Sequence, residues 1–175
     1  MRHDIDLVPL AADFAVVGHE RAAADNFARL NESGSTGLVT AARMMTMHAT
    51  IVATGTISVF EGLLQQSLGW DDPFRRIDRH LRQHGEDDLA ERLLDYRAAI
   101  NVLKHGAGRS HERLLQRKDQ LDFAVRSPDQ AFHDEGDVSE VGTLVRADAT
   151  FVKNCARLIE EVASALRRTV PNAPL

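Results

Sequence analysis

Apolar residues recur at helical spacing along most of the chain, and the recurrence predicts five or six helices separated by short polar breaks. The first helix covers about 8–30, with Leu7, Leu10, Phe14 and Val17 on one stripe and many Ala behind it. Residues 31–37, rich in Ser, Gly and Thr, read as a loop. The second and longest helix covers about 38–68. In it Leu38, Ala42, Met45, Ala49, Val52, Thr56, Val59 and Leu63 repeat in alternating fours and threes, the pattern of a bundle seam. Ile51, Gly55, Ser58 and Gly62 make a second, narrower stripe that lets another backbone come close. Packing inside the bundle is the favoured use of that stripe, and a second protomer is the alternative.

Asp71 or Asp72 caps the third helix, with Pro73 in its first turn. That helix, to about 84, turns Phe74, Ile77 and Leu81 inward and Arg75, Arg79 and Arg82 outward. Beyond Gly85, Asp87 or Asp88 opens a fourth helix with Leu89, Leu93, Tyr96, Ile100 and Leu103 on one stripe. Arg97, Asn101 and Lys104 share another face of it, with His105 alongside. Gly106 ends it, and Ser110 is the expected N-cap of a short helix to about 118. An irregular acidic loop at about 121–147 precedes a last helix, about 148–169, with Phe151, Cys155, Leu158, Val162 and Ala165 inward. Residues 171–175 read as a frayed tail.

Scarce β-branched runs make this an all-α, up-and-down bundle with one long central helix, most simply one domain over 1–175. The lone Cys155 excludes an internal disulfide and fits a reducing cytosol, hence a cytoplasmic expectation. Residues 44–60 carry no formal charge, yet His48 and several Thr favour a buried core helix over a membrane span, so no membrane partner is expected. A net charge of −5 argues against a general nucleic-acid coat protein. Residues 71–118 differ from the rest, with 11 Lys and Arg against 9 Asp and Glu, so a polyanion would be met there.

The end of the fourth helix concentrates the candidate chemistry. The start of the next helix has free backbone N–H groups and a positive dipole end, and it lies beside Lys104, His105 and Arg109. That combination suits a phosphate, with Ser110 in reach. Arg75, Arg79 and Arg82 are either a solvated face or a shelf for RNA phosphates. His80 and His84 lie one turn apart, but no Cys, Asp or Glu completes a ligand set at motif spacing, so no metal and no cofactor are expected. Phosphate-binding glycine loops and a Gly-x-Ser-x-Gly elbow are missing from the sequence.

The run Asn101-Val-Leu-Lys-His105-Gly106 resembles the motif helix of HEPN domains, all-helical bundles that include ribonucleases of toxin–antitoxin, phage-defence and CRISPR systems. The family's pattern is an Arg, commonly a following Asn, and a His about four to six residues after the Arg. Asn101 and His105 match it; Ile100 stands where the Arg belongs, and Arg97 is the nearest Arg upstream. The likeness covers about residues 89–115. It implies a homodimer whose protomers share one metal-independent RNA-cutting site, with His105, Arg97, Asn101 and Lys104 catalytic and an antitoxin as a further partner. The alternative is a catalytically inactive helical module that binds a partner protein.

Overall fold

The computed structural model describes residues 4–33, 35–132 and 141–170. Over these residues the chain forms an all-α helical bundle: α1 (Asp4–Glu32), α2 (Thr36–Leu68), α3 (Pro73–Gln83), α4 (Asp87–His105), α5 (Arg109–Gln116) and α6 (Ala149–Thr169), with a 3-10 turn at Lys118–Gln120. No strand occurs among the described residues. The expected frayed tail, Gly34 and the acidic residues Asp134, Glu135, Asp137 and Glu140 lie outside them.

α1, α2 and α6 pack mutually, α2 and α6 also meet α4, and α3 and α5 lean on α4. Their shared core is Phe60 and Leu64 from α2, Phe74, Ile77 and Leu81 from α3, Leu93 and Tyr96 from α4, Leu114 from α5, and Phe151, Leu158, Ile159 and Leu166 from α6. The inward stripes expected on α3 and α6 are therefore buried. Tyr96 stacks on Phe151, and Phe123 meets both rings edge-on, all within about 5 Å centroid to centroid, at the meeting of α4 and α6.

Helix boundaries follow local chemistry. Asp72 caps α3, its Oδ1 accepting the Arg75 N–H at 3.2 Å, and Pro73 is the first helical residue. Asp148 caps α6 in the same way through the Phe151 N–H at 3.0 Å. Glu86, not Asp87 or Asp88, holds the N-cap position of α4, and both aspartates fall in the first turn, where the helix dipole favours them. α1 begins earlier than expected and runs through Pro9, giving up one backbone hydrogen bond, because Ile5 and Val8 ahead of it are buried.

The irregular stretch is tied down at both ends. Val125 and Val145 form an isolated antiparallel bridge, with the Arg126 N–H donating to Leu144 O and the Arg146 N–H to Ala124 O, each at 3.0 Å. Val125, Val141, Val145 and Ala147 are buried, so this loop contributes to the core.

The first two helices depart from the sequence reading. Leu7, Leu10, Phe14 and Val17 are all exposed; Ile5, Val8, Ala12 and Val16 are the buried side of α1. On α2, Ala42, Ala49 and Thr56 of the expected seam are buried and Leu38, Met45, Val52 and Leu63 half-buried, but Val59 is open to solvent and the deepest side chains are Ala53, Ile57, Phe60 and Leu64. The small-residue stripe is open as well: Ile51, Gly55 and Ser58 are exposed, and a Cβ placed on Gly55 or Gly62 would meet nothing within 4 Å. That stripe does not pack inside the bundle. Among the described residues α2 is the one helix long and apolar enough to cross a membrane, by length and composition alone, and 39% of its most apolar window is buried.

Candidate functional site

The corner between α4 and α5 is shaped by Gly106, whose φ of 76° and ψ of −148° suit a residue without Cβ. Its N–H donates to Val102 O at 2.8 Å, closing α4. α5 starts sooner than expected: Gly108 takes the N-cap position, its carbonyl accepting the Glu112 N–H at 2.9 Å. Ser110 is therefore inside the first turn, and no side chain caps this helix. His111 and Leu114 turn inward, and His111 Nε2 donates to the Arg126 carbonyl at 2.8 Å, which fixes the protonated nitrogen of that ring.

Lys104, His105 and Arg109 stand exposed around this corner, with Asn101 half-buried one turn back. None of the four side chains makes a hydrogen bond or ion pair with another described residue. They form an open cationic edge, able to receive an anion.

Arg97 is used elsewhere. Its Nη2 lies 3.5 Å from Asp72 Oδ1, and its guanidinium sits 5.4 Å from the centroid of Phe74, so it ties α4 to the start of α3. Ile100, where the family pattern has Arg, is 4% exposed and part of the core.

The Arg shelf on α3 is divided. Arg75 and Arg79 are exposed, whereas Arg82 donates to Asp78 at 2.8 Å and Glu91 at 2.8 Å and approaches Asp87 at 3.5 Å. Those hydrogen bonds, from Glu91 above all and then Asp78, hold the guanidinium firmly protonated. Arg82 is thus committed to its own chain and offers nothing to a phosphate. His80 and His84 stack at 4.3 Å, His80 Nε2 bonds to Thr169 Oγ1, and His84 Nδ1 donates to His80 O. Among the described residues, no three His, Cys, Asp or Glu side chains gather as ligands for a metal.

The densest polar cluster went unnoticed in the sequence. Asp95, 4% exposed, accepts from Arg117 Nε at 3.0 Å and Nη2 at 3.1 Å, and from Arg113 Nη2 at 3.1 Å. Glu91, one turn earlier, accepts from Arg113 at 2.6 Å and Arg82 at 2.8 Å. The Glu91 carboxyl is held below its usual value by Arg82 first, with burial opposing and Arg113 adding to the effect. The signal was present: Glu91 and Asp95 are four apart on α4, and Arg113 and Arg117 are four apart on α5. A groove of about 700 Å³ runs beside the cluster, lined by Arg82, Asp87, Asp88, Glu91, Arg92, Asp95, Arg117 and Gln120. Glu91 and Asp95 are answered by guanidinium groups there, so the cluster clamps α5 on α4 and leaves neither carboxylate free as a general base.

Cys155 is buried, and burial drives its thiol pKa well above the ordinary value, so it is a packing residue. Tyr96 donates its hydroxyl to Asp122 Oδ1 at 2.9 Å, and Asn154 donates to the same carboxylate at 3.2 Å. Comparisons of the chain with family models, with curated proteins and with solved structures find no match.

Proposed function

We propose that the protein is a catalytically silent helical module that binds a protein through the exposed apolar sides of α1 and α2. One observation carries this reading. Leu7, Leu10, Phe14 and Val17 on α1, with Met44, Met47, Ile51 and Val59 on α2, are all exposed, Phe14 by 83%. Stripes of large apolar side chains left open on two helices exceed the scattered single residues that a soluble surface ordinarily carries, and such surface marks an interaction site. The α4–α5 corner supports catalysis less well. Arg97 is engaged with Asp72, Ile100 is buried, and His105 has no partner side chain to set its tautomer or orientation.

A second reading has its own observation, the exposed Lys104, His105 and Arg109 with no partner among the described residues. On that reading the protein is a HEPN-like, RNA- or nucleotide-directed cytoplasmic protein, a metal-independent ribonuclease of a toxin–antitoxin or phage-defence system. Asn101 and Lys104 would grip phosphate while His105 moves the proton.

A cleavage assay on single-stranded RNA in the presence of chelator separates the two. The interaction reading expects no cleavage above a protein-free blank and no change with His105→Ala. Cleavage that His105→Ala abolishes, with the melting temperature unmoved, would overturn it in favour of the nuclease.

A further inference from the structure

We infer that the exposed side of α2 seats α2 of a second copy of this chain, antiparallel, about a two-fold axis that lies in the interface and perpendicular to the helix. This rests on the interaction reading above and gives the α2 side its occupant. The α1 stripe takes no part. Met44, Met47, Ile51, Gly55, Ser58 and Gly62 recur at spacings of three and four, so helical geometry alone puts them in one line about 27 Å long. The line lies opposite Ala53, Ile57, Phe60 and Leu64, the side chains that α2 buries in its own bundle. Gly62 is half-buried and the other five are exposed. No formal charge falls on the line, where an exposed helix face ordinarily carries several.

Charge and shape along this helix ask for the same partner in the same register. Arg43 and Glu61 stand at the two ends of the line, eighteen residues or five turns apart, and therefore on the same flank. Arg43 is exposed and Glu61 half-buried, and neither pairs with another described side chain. In an antiparallel two-fold pair, equal flanks of the two helices adjoin. Arg43 of each copy then meets Glu61 of the other when the helices cross at Val52, midway between them. The large and small side chains of the line ask for nearly the same crossing point. Met44 and Gly62 are centred on Ala53, as are Ile51 and Gly55, while Met47 and Ser58 fall midway between Val52 and Ala53. One crossing point thus serves all four pairs to within a residue, about 1.5 Å along the axis. It lays each protruding side chain over a glycine or serine of the partner. Those hollows are open, because a Cβ on Gly55 or Gly62 would meet nothing within 4 Å. A lipid surface fits less well, since α2 offers it one arginine and one glutamate in place of a cationic flank. Two helices alone make an interface at the small end of the range, under about 1,200 Å² in total, so the dimer is a transient one.

Sedimentation equilibrium at tens to hundreds of micromolar tests this, on the wild type, Gly55→Leu, Arg43→Glu, Glu61→Arg and the double reversal, with Phe14→Asp on α1 as the control outside the interface. Nothing within 4 Å blocks a Cβ at Gly55 in one protomer, so Gly55→Leu keeps the fold while filling the hollow. The expected result is a wild-type dimer weakened at least about tenfold by Gly55→Leu and about fivefold by each single reversal. The double reversal should restore it, and Phe14→Asp should leave it unchanged, every variant melting as a folded chain. An equimolar mixture of Arg43→Glu and Glu61→Arg should associate as the wild type does, because their heterodimer carries both opposite-charge pairs. A dimer indifferent either to Gly55→Leu or to the single reversals overturns the proposal, as does a double reversal that stays as weak as the singles. So does a monomeric wild type, which leaves the interaction reading standing with a different partner protein. A monomeric wild type that pellets with phosphatidylglycerol-containing vesicles assigns the face to lipid instead and overturns both. RNA cleavage plays no part in this readout, so failure of the dimer and appearance of nuclease activity remain separate findings.

Discussion

Asp95 shows how a single side chain can hold two elements together. It is a carboxylate with almost no solvent contact, and its hydrogen bonds come from Arg113 and Arg117 of α5. Both arginines remain partly exposed, so the attraction is weaker than in a dry interior, but the geometry is forked on the Arg117 side. Asp95→Ala should cost about 2–4 kcal/mol in urea unfolding, because it leaves two guanidinium groups with only Glu91 to answer them, in a packed setting. Arg117→Ala should cost less, since Arg113 still donates to Asp95. Equal losses from the two substitutions would show that the carboxylate is not the centre of the cluster. This network accounts for part of the charge in the middle of the chain. Five of the nine arginines in residues 71–118 are paired with the chain's own carboxylates: Arg82 with Asp78 and Glu91, Arg92 with Glu161, Arg97 with Asp72, and Arg113 and Arg117 with Glu91 and Asp95.

At the scale of elements, the α1–α2 pairing carries a titratable contact. His19 is held below its ordinary pKa by burial first and by His48 second, with Glu20 and Asp148 opposing. A depressed histidine is neutral in the fold, while the unfolded chain takes up a proton near its ordinary value of about 6.5. The stability it supports is therefore present above about pH 6.5 and is lost as pH falls below that toward the folded value. His80, depressed by burial and by His84, acts in the same direction between α3 and α6. The difference in melting temperature between wild type and His19→Gln should narrow, or change sign, on going from neutral to mildly acidic pH; a difference constant with pH would remove His19 from the account. The same pair of helices marks where the sequence stopped being readable. The long α2, the inward stripes of α3 and α6, the Asp72 cap and the Gly106 break all follow from periodicity and local backbone chemistry, and they were legible. On α1, periodicity reveals two apolar lines, Ile5–Val8–Ala12–Val16 and Leu7–Leu10–Phe14–Val17, and the second has the larger side chains. Helical spacing cannot say which line faces inward when another molecule can bury the other. The site suffered likewise: spacing gathers Arg97 with Asn101 and Lys104 on one face, but only tertiary packing shows that Arg97 is taken by Asp72 on α3.

For the whole molecule, an amphipathic layer with two apolar sides ties stability to concentration. α6 covers the inner side of α1 and α2, with Val152 beside Val16 and Ala49, and this core is intrinsic to one chain. The outer side has no such cover, so burying it between two copies would stabilise the folded dimer and not the unfolded chain. Mass action then makes the melting temperature rise with protein concentration. Each tenfold increase is worth about 1.4 kcal/mol per dimer, half of that per protomer. For a chain of this size about 1 kcal/mol moves the midpoint by roughly 2–4 °C, so a hundredfold concentration series should raise it by about 3–5 °C. Gly55→Leu should flatten the series while matching or exceeding the wild-type midpoint at the dilute end, because leucine is the better helix former and its Cβ meets no neighbour within one protomer. A wild-type midpoint independent of concentration would mean that the bundle tolerates its bare apolar face as a monomer. In that case the fold rests on the core of one chain, to which α1 contributes Ile5, Val8, Ala12 and Val16, and the exposed apolar sides of α1 and α2 are held open for a different protein.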